Sequence, residues 1–354
     1  MRSCKQQTLV QRLIKASIVF ATCAGGFLAL AYDANGQSSK SYRGSIGGSH
    51  IEMHLAFEGN KVSGTYAYDR VGEDLKLGGQ INAQGGLELA EFDAKRKQTG
   101  KITCKRKLDD PIDAECTWSR VDGTHEAYVS LEEQYITFTN GFQVMPKTII
   151  DRATGITISY PQLISDKPSS GAVQGFNGRI LGLVKKAIKD FDPQLITGRT
   201  SFETNYRVLL GTNDLISVEM NEYSDAGGAH PNTGYWALTY DLKNNKELEI
   251  EDIFKPDNEY KTVIANYVVA DINRRADDIE QWDAKRENRK PVKRDASIVS
   301  TDQLSELSGW ALTPKGLMVY FDFPHVIAAF DRTFVPYSVI KNYLQPNLSF
   351  DGSH

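Results

Sequence analysis

Cysteine is scarce in this sequence, 4 in 354 residues beside 12 Pro and 29 Gly. That excludes a disulfide-dense scaffold, a collagen-like repeat and a low-complexity chain. A dominant charge is missing as well. The 41 Lys and Arg face 45 Asp and Glu, a formal charge of -4, which argues against a general affinity for nucleic acid or an anionic bilayer. No GxSxG elbow, HExxH pair, phosphate-cradling GxxxxGKS/T loop or CxxC occurs, and those are the short signals whose mechanics make an enzyme assignment strong. What is present, 40% hydrophobic, 24% charged and 10% aromatic residues, is the composition of a folded protein. At roughly 100–200 residues per domain, the length predicts two domains, each with a core of its own.

Residues 1–31 read as an export signal. Arg2, Lys5, Arg12 and Lys15 form a basic start without an acid, and the apolar stretch Ala16 to Ala31 ends in Ala29-Leu30-Ala31, small residues where a signal peptidase cuts. Thr22, Gly25 and Gly26 interrupt that stretch, which falls short of the roughly 20 residues a membrane span needs. Cleavage takes the formal charge from -4 to -8 and predicts a periplasmic or secreted protein with no membrane anchor. Cys4 and Cys23 leave with the leader. Cys104 and Cys116 then form the only pair, predicted to be a disulfide in an oxidising compartment. They have no His or Cys companions that would make a metal site.

From residue 41 to 145 short alternating runs recur every eight to twelve residues, such as Ile51, Met53, Leu55 and Phe57. Period-two alternation means a sheet with one buried face. Turn residues separate the runs at Gly47-Gly48, Glu58-Gly59-Asn60, Gly78-Gly79 and Asp122-Gly123. About eight strands result, and a meander of that kind predicts an up-and-down antiparallel barrel of the lipocalin-like sort. Tyr66, Tyr68, Phe57, Phe92 and Trp118 are bulky enough to fill its interior. His50, Glu52 and His54 invite a test as metal ligands. On a strand rising about 3.3 Å per residue the two histidines stand roughly 13 Å apart, so the expectation is a solvated strand face.

Residues 150–347 change pattern and predict an α+β domain, followed by a tail at 348–354. Phe176, Ile180, Leu183, Val184, Ala187, Ile188 and Phe191 repeat at three and four, a helix ended by Asp192-Pro193. Strands follow at Phe202 to Leu210, Leu215 to Tyr223 and Gly234 to Leu242. A second helix carries Tyr260, Val263, Ile264, Tyr267, Val268 and Ile272, and the last strands come after a charge-dense stretch, Arg274 to Arg294. Helices packed on an antiparallel sheet are the expected layers. The charged stretch carries acids among its bases and reads as a solvated helix end and loop.

Tyr160-Pro161-Gln162, Gly227-Gly228-Ala229-His230-Pro231-Asn232, Leu248 to Phe254 ending in Asp-Ile-Phe, Gly316 to Asp322 and Val335-Pro336-Tyr337 stand in that order. In these features residues 150–345 resemble the extracytoplasmic module shared by the lysozyme-sensing anti-sigma factor RsiV and the peptidoglycan deacetylase PdaC. The resemblance leaves the barrel unassigned. It implies an exported α+β fold and, from one member, recognition of lysozyme. This chain shows neither a sigma-binding segment nor a deacetylase domain.

The segment from Gly227 to Trp236 is the candidate ligand surface. Gly227 and Gly228 permit close backbone approach, His230 and Asn232 offer polar contacts, and Tyr235 and Trp236 offer aromatic area. The leading expectation is a non-enzymatic binding protein of the cell envelope, without catalytic residue, cofactor or metal, that meets a lysozyme-like hydrolase or a peptidoglycan fragment. One alternative is an envelope glycan hydrolase using His230 with Asp225 or Glu222. Another is a small-ligand carrier with a hollow barrel.

Overall fold

The computed structural model describes residues 38–108, 115–166, 171–191, 200–226, 230–256, 259–304 and 307–346. The leader expected at 1–31, Gly227, Gly228, Asp192-Pro193 and the tail expected from 348 lie outside the described residues. Among those described, no helix is long and apolar enough to cross a membrane.

Eight strands in sequence order close an antiparallel barrel: β1 (Ser38–Ile46), β2 (Ser49–Glu58), β3 (Lys61–Tyr68), β4 (Leu75–Ile81), β5 (Leu87–Phe92), β6 (Gln98–Cys104), β7 (Cys116–Arg120) and β8 (Ala127–Gln134). Pairing of β1 with both β2 and β8 completes the circle. The hairpin between β1 and β2 turns on Gly47 and Gly48, both at positive φ (56° and 79°), as a two-residue turn matched to strand twist requires. At the closing seam a Cβ on Gly44 would stand 1.8 Å from the Ser130 carbonyl oxygen, so only glycine lets β1 lie against β8 there.

Side chains fill the interior. Ile51, Met53, Leu55, Val62, Tyr66, Leu89 and Ile102 are all at most 2% exposed. Of the aromatics expected inside, only Tyr66 is fully buried; Phe57, Tyr68 and Trp118 pack half-buried against the core. Glu91 turns inward in place of Phe92, next to a register shift in the β5–β6 pairing. Its carboxylate accepts hydrogen bonds from Tyr66 (2.5 Å), Trp118 (2.6 Å) and Thr99 (2.5 Å).

The expected disulfide is present. Cys104 and Cys116 face each other across the β6–β7 hairpin and are bonded, 12 residues apart. Replacing both by Ser is expected to cost about 3 kcal/mol, the loop-closure entropy of a link of that length. Urea midpoints of wild type and the double variant check it, and equal midpoints would contradict it.

The second part is built in four layers. Six strands run in the order β14-β13-β12-β11-β10-β9: β9 (Phe142–Asp151), β10 (Ile156–Ser165), β11 (Ser201–Gly211), β12 (Leu215–Asp225), β13 (Asn232–Asp241) and β14 (Lys246–Glu247). β9 straddles the 145/150 boundary read from the sequence and pairs with β10 rather than with the barrel. The sheet is mixed where an antiparallel one was expected. The helix α1 (Gly171–Phe191) is a crossover, which makes β10 and β11 parallel. Its Phe176, Ile180 and Val184 cover one face, against Ile216, Val218, Met220 and Leu238.

A three-stranded sheet covers the other face: β15 (Gly309–Thr313), β16 (Gly316–Tyr320) and β17 (Arg332–Pro336). Its alternation serves two layers. Ala311, Met318 and Tyr320 pack toward the six strands, while Leu312, Leu317 and Val319 pack toward the helix side. There lie the short α2 (Ile250–Ile253), the long α3 (Glu259–Arg286) and α4 (Tyr337–Ile340). The charge-dense stretch from Arg274 starts inside α3, and its arginines are held by carboxylates, Arg274 by Asp271 and Asp278, Arg294 by Asp277.

The two parts are joined by more than a linker. Residues after β8 bond to the end of β11: the Gly211 N–H donates to the Tyr135 carbonyl, the Tyr135 N–H to the Val208 carbonyl and the Thr137 N–H to the Gly211 carbonyl. The outer face of β1 and β2 lies against the second part, so the solvated face expected at His50, Glu52 and His54 is corrected. His50 and Glu52 are half-buried and only His54 is exposed. Arg43, 1% exposed, donates both terminal nitrogens to Asp69 at 2.8 Å. It also reaches Asn205 at 2.8 Å and lies 4.1 Å over the Tyr206 ring. Ser159 of β10 donates to the same Asp69 at 2.8 Å.

Candidate functional site

The residues singled out in the sequence reach three different places. His230 and Asn232 are exposed at the start of β13. His230 stacks on the exposed ring of His325, centroids 3.7 Å apart and planes at 21°, and its Nδ1 lies 3.4 Å from the Pro231 carbonyl oxygen. Successive strand residues point to opposite faces, so Tyr235 and Trp236 part company. Tyr235 stacks on Tyr320 at 5.6 Å beneath the Arg332 guanidinium. Beside it, Glu219, 2% exposed, is held by Arg207, Arg332 and Tyr320 at 3.1, 3.1 and 2.7 Å, a closed set of charges. This is packing between sheets.

Trp236 faces the α1 side and lines a groove. Because β14 pairs only with Tyr240 and Asp241, the rest of the β13 edge has no strand beside it in this sheet. Two lobes of about 500 Å³ each lie along that edge and share Ala237 and Ser308. The first lobe has an aromatic floor of Trp236 with the stacked pair Phe191 and Phe202, centroids 4.9 Å apart. Its rim carries Glu222, Asp190, Lys186, Ser224 and Ser308. The second lobe lies between β13 and α3, with Trp310, Tyr260 and Lys261 on its walls and Glu247, Glu249 and Glu251 on its rim.

The rim charges are not equivalent. Asp190 pairs with Lys186 at 3.0 Å, Glu247 with Arg179 at 2.5 Å, and Glu251 with Lys261 at 3.4 Å. The Glu249 backbone N–H bonds to Asp252 at the start of α2. Glu222 has no cation as ion-pair partner among the described residues. Burial raises its carboxyl above the usual range, the Trp236 indole N–H lowers it, and the negative charge of Asp190 raises it again. That buried indole N–H faces the carboxylate without closing a full hydrogen bond. The cross-strand partner of Glu222 is Gly234, where a Cβ would meet nothing within 4 Å, so the space over the carboxylate stays open.

Sequence reasoning found Trp236 and weighed Glu222 only as a partner for His230. It missed Phe191, Phe202 and Trp310 as groove residues. The available signal was weak: Trp236 and Trp310 are two of only 4 tryptophans, both on strands, and nothing local shows that β15 brings the second to a lobe adjoining that of the first.

Residues 251–331 match the family described as "Protein of unknown function (DUF3298)", a stretch that supplies Tyr260, Lys261 and Trp310 to the second lobe. The chain is 30% identical over 103 residues to the peptidoglycan-N-acetylmuramic acid deacetylase PdaC of Bacillus subtilis (strain 168). That match covers 29% of this chain and 22% of PdaC, so the chain spans less than a quarter of that relative's length. A DUF3298 family protein from Pseudomonas aeruginosa PAO1 of known structure is 16% identical, with a TM-score of 0.39 over 58% of this chain and 94% of that one. A member of the same family from Bacteroides fragilis NCTC 9343 is 16% identical, with a TM-score of 0.36 over 59% and 96%.

Proposed function

We propose that this chain is an exported, non-enzymatic binding protein of the bacterial cell envelope, and that it holds a peptidoglycan-type glycan in the groove along β13. The observation that carries the reading is the composition of that groove. Aromatic surfaces at Trp236 and Trp310, set in strands and rimmed by carboxylates, hydroxyls and lysines, offer apolar area to sugar faces and polar groups to sugar hydroxyls. Two joined lobes of about 500 Å³ suit an extended chain of rings better than one compact ligand. PdaC, a deacetylase of peptidoglycan, supports the same ligand class.

Against a hydrolase centred on His230 stands the position of that ring. It is exposed, stacked on His325, and distant in role from the groove that Glu222 lines. The test is calorimetric titration of the mature protein with muramidase-solubilised peptidoglycan fragments, and a turnover assay on the same material. Binding without turnover is expected, and Trp236→Ala and Trp310→Ala are each expected to weaken it at least about tenfold, about 1.4 kcal/mol. Fragment turnover that His230→Ala abolishes would replace this reading with the hydrolase. Capture of lysozyme with no affinity for fragments would move it to recognition of a hydrolase.

A further inference from the structure

The first lobe of the groove is built for a positive charge. Its floor is three aromatic rings, Trp236, Phe191 and Phe202, and its rim holds two carboxylates against one ammonium. Lys186 is taken by Asp190 at 3.0 Å, which leaves Glu222 as the lobe's carboxylate without a counter-ion among the described residues. Glu222 sits two pairs along from the Met220–Trp236 pair, on the same face of the sheet, and opposite a glycine that leaves the space above it open. A half-buried carboxylate with no cation loses hydration for no electrostatic return. A ligand that brings a cation over the indole satisfies both groups, the carboxylate by charge and the ring by its quadrupole.

Resting on the glycan reading above, we propose that the Glu222–Trp236 lobe selects an amino sugar whose amine is free and protonated over one whose amine is acetylated. The acetylated sugar offers an amide, which carries no charge for Glu222 and leaves the carboxylate desolvated without compensation. Removal of the acetyl group from an N-acetylated glycan leaves such an amine, so N-deacetylation is the class of reaction that supplies the ligand.

The experiment titrates the mature protein at neutral pH and low salt with two probes of equal length, a β-1,4-glucosamine tetramer and its fully N-acetylated counterpart. The glucosamine tetramer is expected to bind at least tenfold more tightly, with a preference that shrinks as salt is added. Glu222→Gln is expected to abolish the preference by weakening only the glucosamine tetramer, whereas Glu222→Asp, which keeps the charge, retains part of it. Trp236→Phe is expected to retain more affinity for the charged probe than Trp236→Ala. Equal affinity for both tetramers, a preference for the acetylated one, or a preference unchanged in Glu222→Gln overturns the selectivity. If neither tetramer binds while peptidoglycan fragments still do, the selectivity falls and the glycan reading stands; if fragments fail as well, both fall.

Discussion

Asp69→Ala is expected to cost about 3–5 kcal/mol and to loosen the barrel from the second part, because it strands a buried arginine. Arg43 is 1% exposed, and its bidentate partner is Asp69. Without that carboxylate the guanidinium keeps the Asn205 hydrogen bond and the Tyr206 ring, neither of which carries a charge, and the weaker pull of Glu52, its cross-strand neighbour. The cost reports the stranded charge, not the worth of the pair, so a second variant separates the two. Arg43→Met combined with Asp69→Ala removes both charges and fills the space with apolar atoms, and is expected to recover most of the loss. Chemical denaturation of the four proteins in the cycle checks this; a double variant no more stable than Asp69→Ala would show that the Asp69 side chain acts otherwise than by holding Arg43.

The same joint predicts an acid profile in two steps. Burial, and then the charge of Arg43, push the His50 imidazole down to about 4. The unfolded chain takes up that proton near pH 6.5, so between about 6.5 and about 4 it binds more protons than the folded chain, and stability falls as the pH falls. Burial alone would raise Asp69, but hydrogen bonds and charge from Arg43, with a bond from Ser159, hold it below its ordinary value. Its contribution is therefore complete above about pH 3.9 and is lost only as the pH drops through the lower folded value. His50→Gln is expected to flatten the upper step and leave the lower one. Stability measured from pH 7 to 3 reads both, and an unchanged upper step in His50→Gln would count against a buried neutral imidazole.

The joint also marks the limit of what the sequence discloses. Ile51, Met53 and Leu55 announce a strand and its buried face by alternation, and the barrel follows because one rule, period two with glycine turns, repeats along it. The Cys104–Cys116 bond is legible from composition once export is expected. The opposite face of β2 is where that reasoning stops. His50, Glu52 and Arg43 look like solvent-facing polar residues, since a hydrophobic pattern has no symbol for a polar residue buried by another domain. The groove was half legible for a related reason. Trp236 lies in a segment whose residues attract notice, while Phe191 and Trp310 read as ordinary core positions of a helix and a strand. Their role depends on β13 lying uncovered for part of its edge, a property of strand lengths in three dimensions.

Inside the barrel the same blindness conceals Glu91, and its replacement carries the other large expected effect. The carboxylate is 3% exposed, no cation pairs with it among the described residues, and it is held by three donors on three strands, Tyr66 on β3, Thr99 on β6 and Trp118 on β7. Glu91→Ala takes the acceptor from the buried Tyr66 hydroxyl and from the half-buried Thr99 and Trp118, at roughly 1–3 kcal/mol each, so a loss of about 4 kcal/mol or more is expected. Glu91→Gln separates hydrogen bonding from charge. One amide oxygen can still accept from Tyr66 and Trp118, and the Thr99 hydroxyl can reverse to accept from the amide nitrogen. That variant is expected to lose only about 1 kcal/mol. The Trp118 indole reports the site directly, since its N–H signal in an NMR spectrum should persist in the Gln variant and shift strongly in the Ala variant. If Gln proves as damaging as Ala, the negative charge itself holds the barrel together, and the three donors do not account for the carboxylate at its centre.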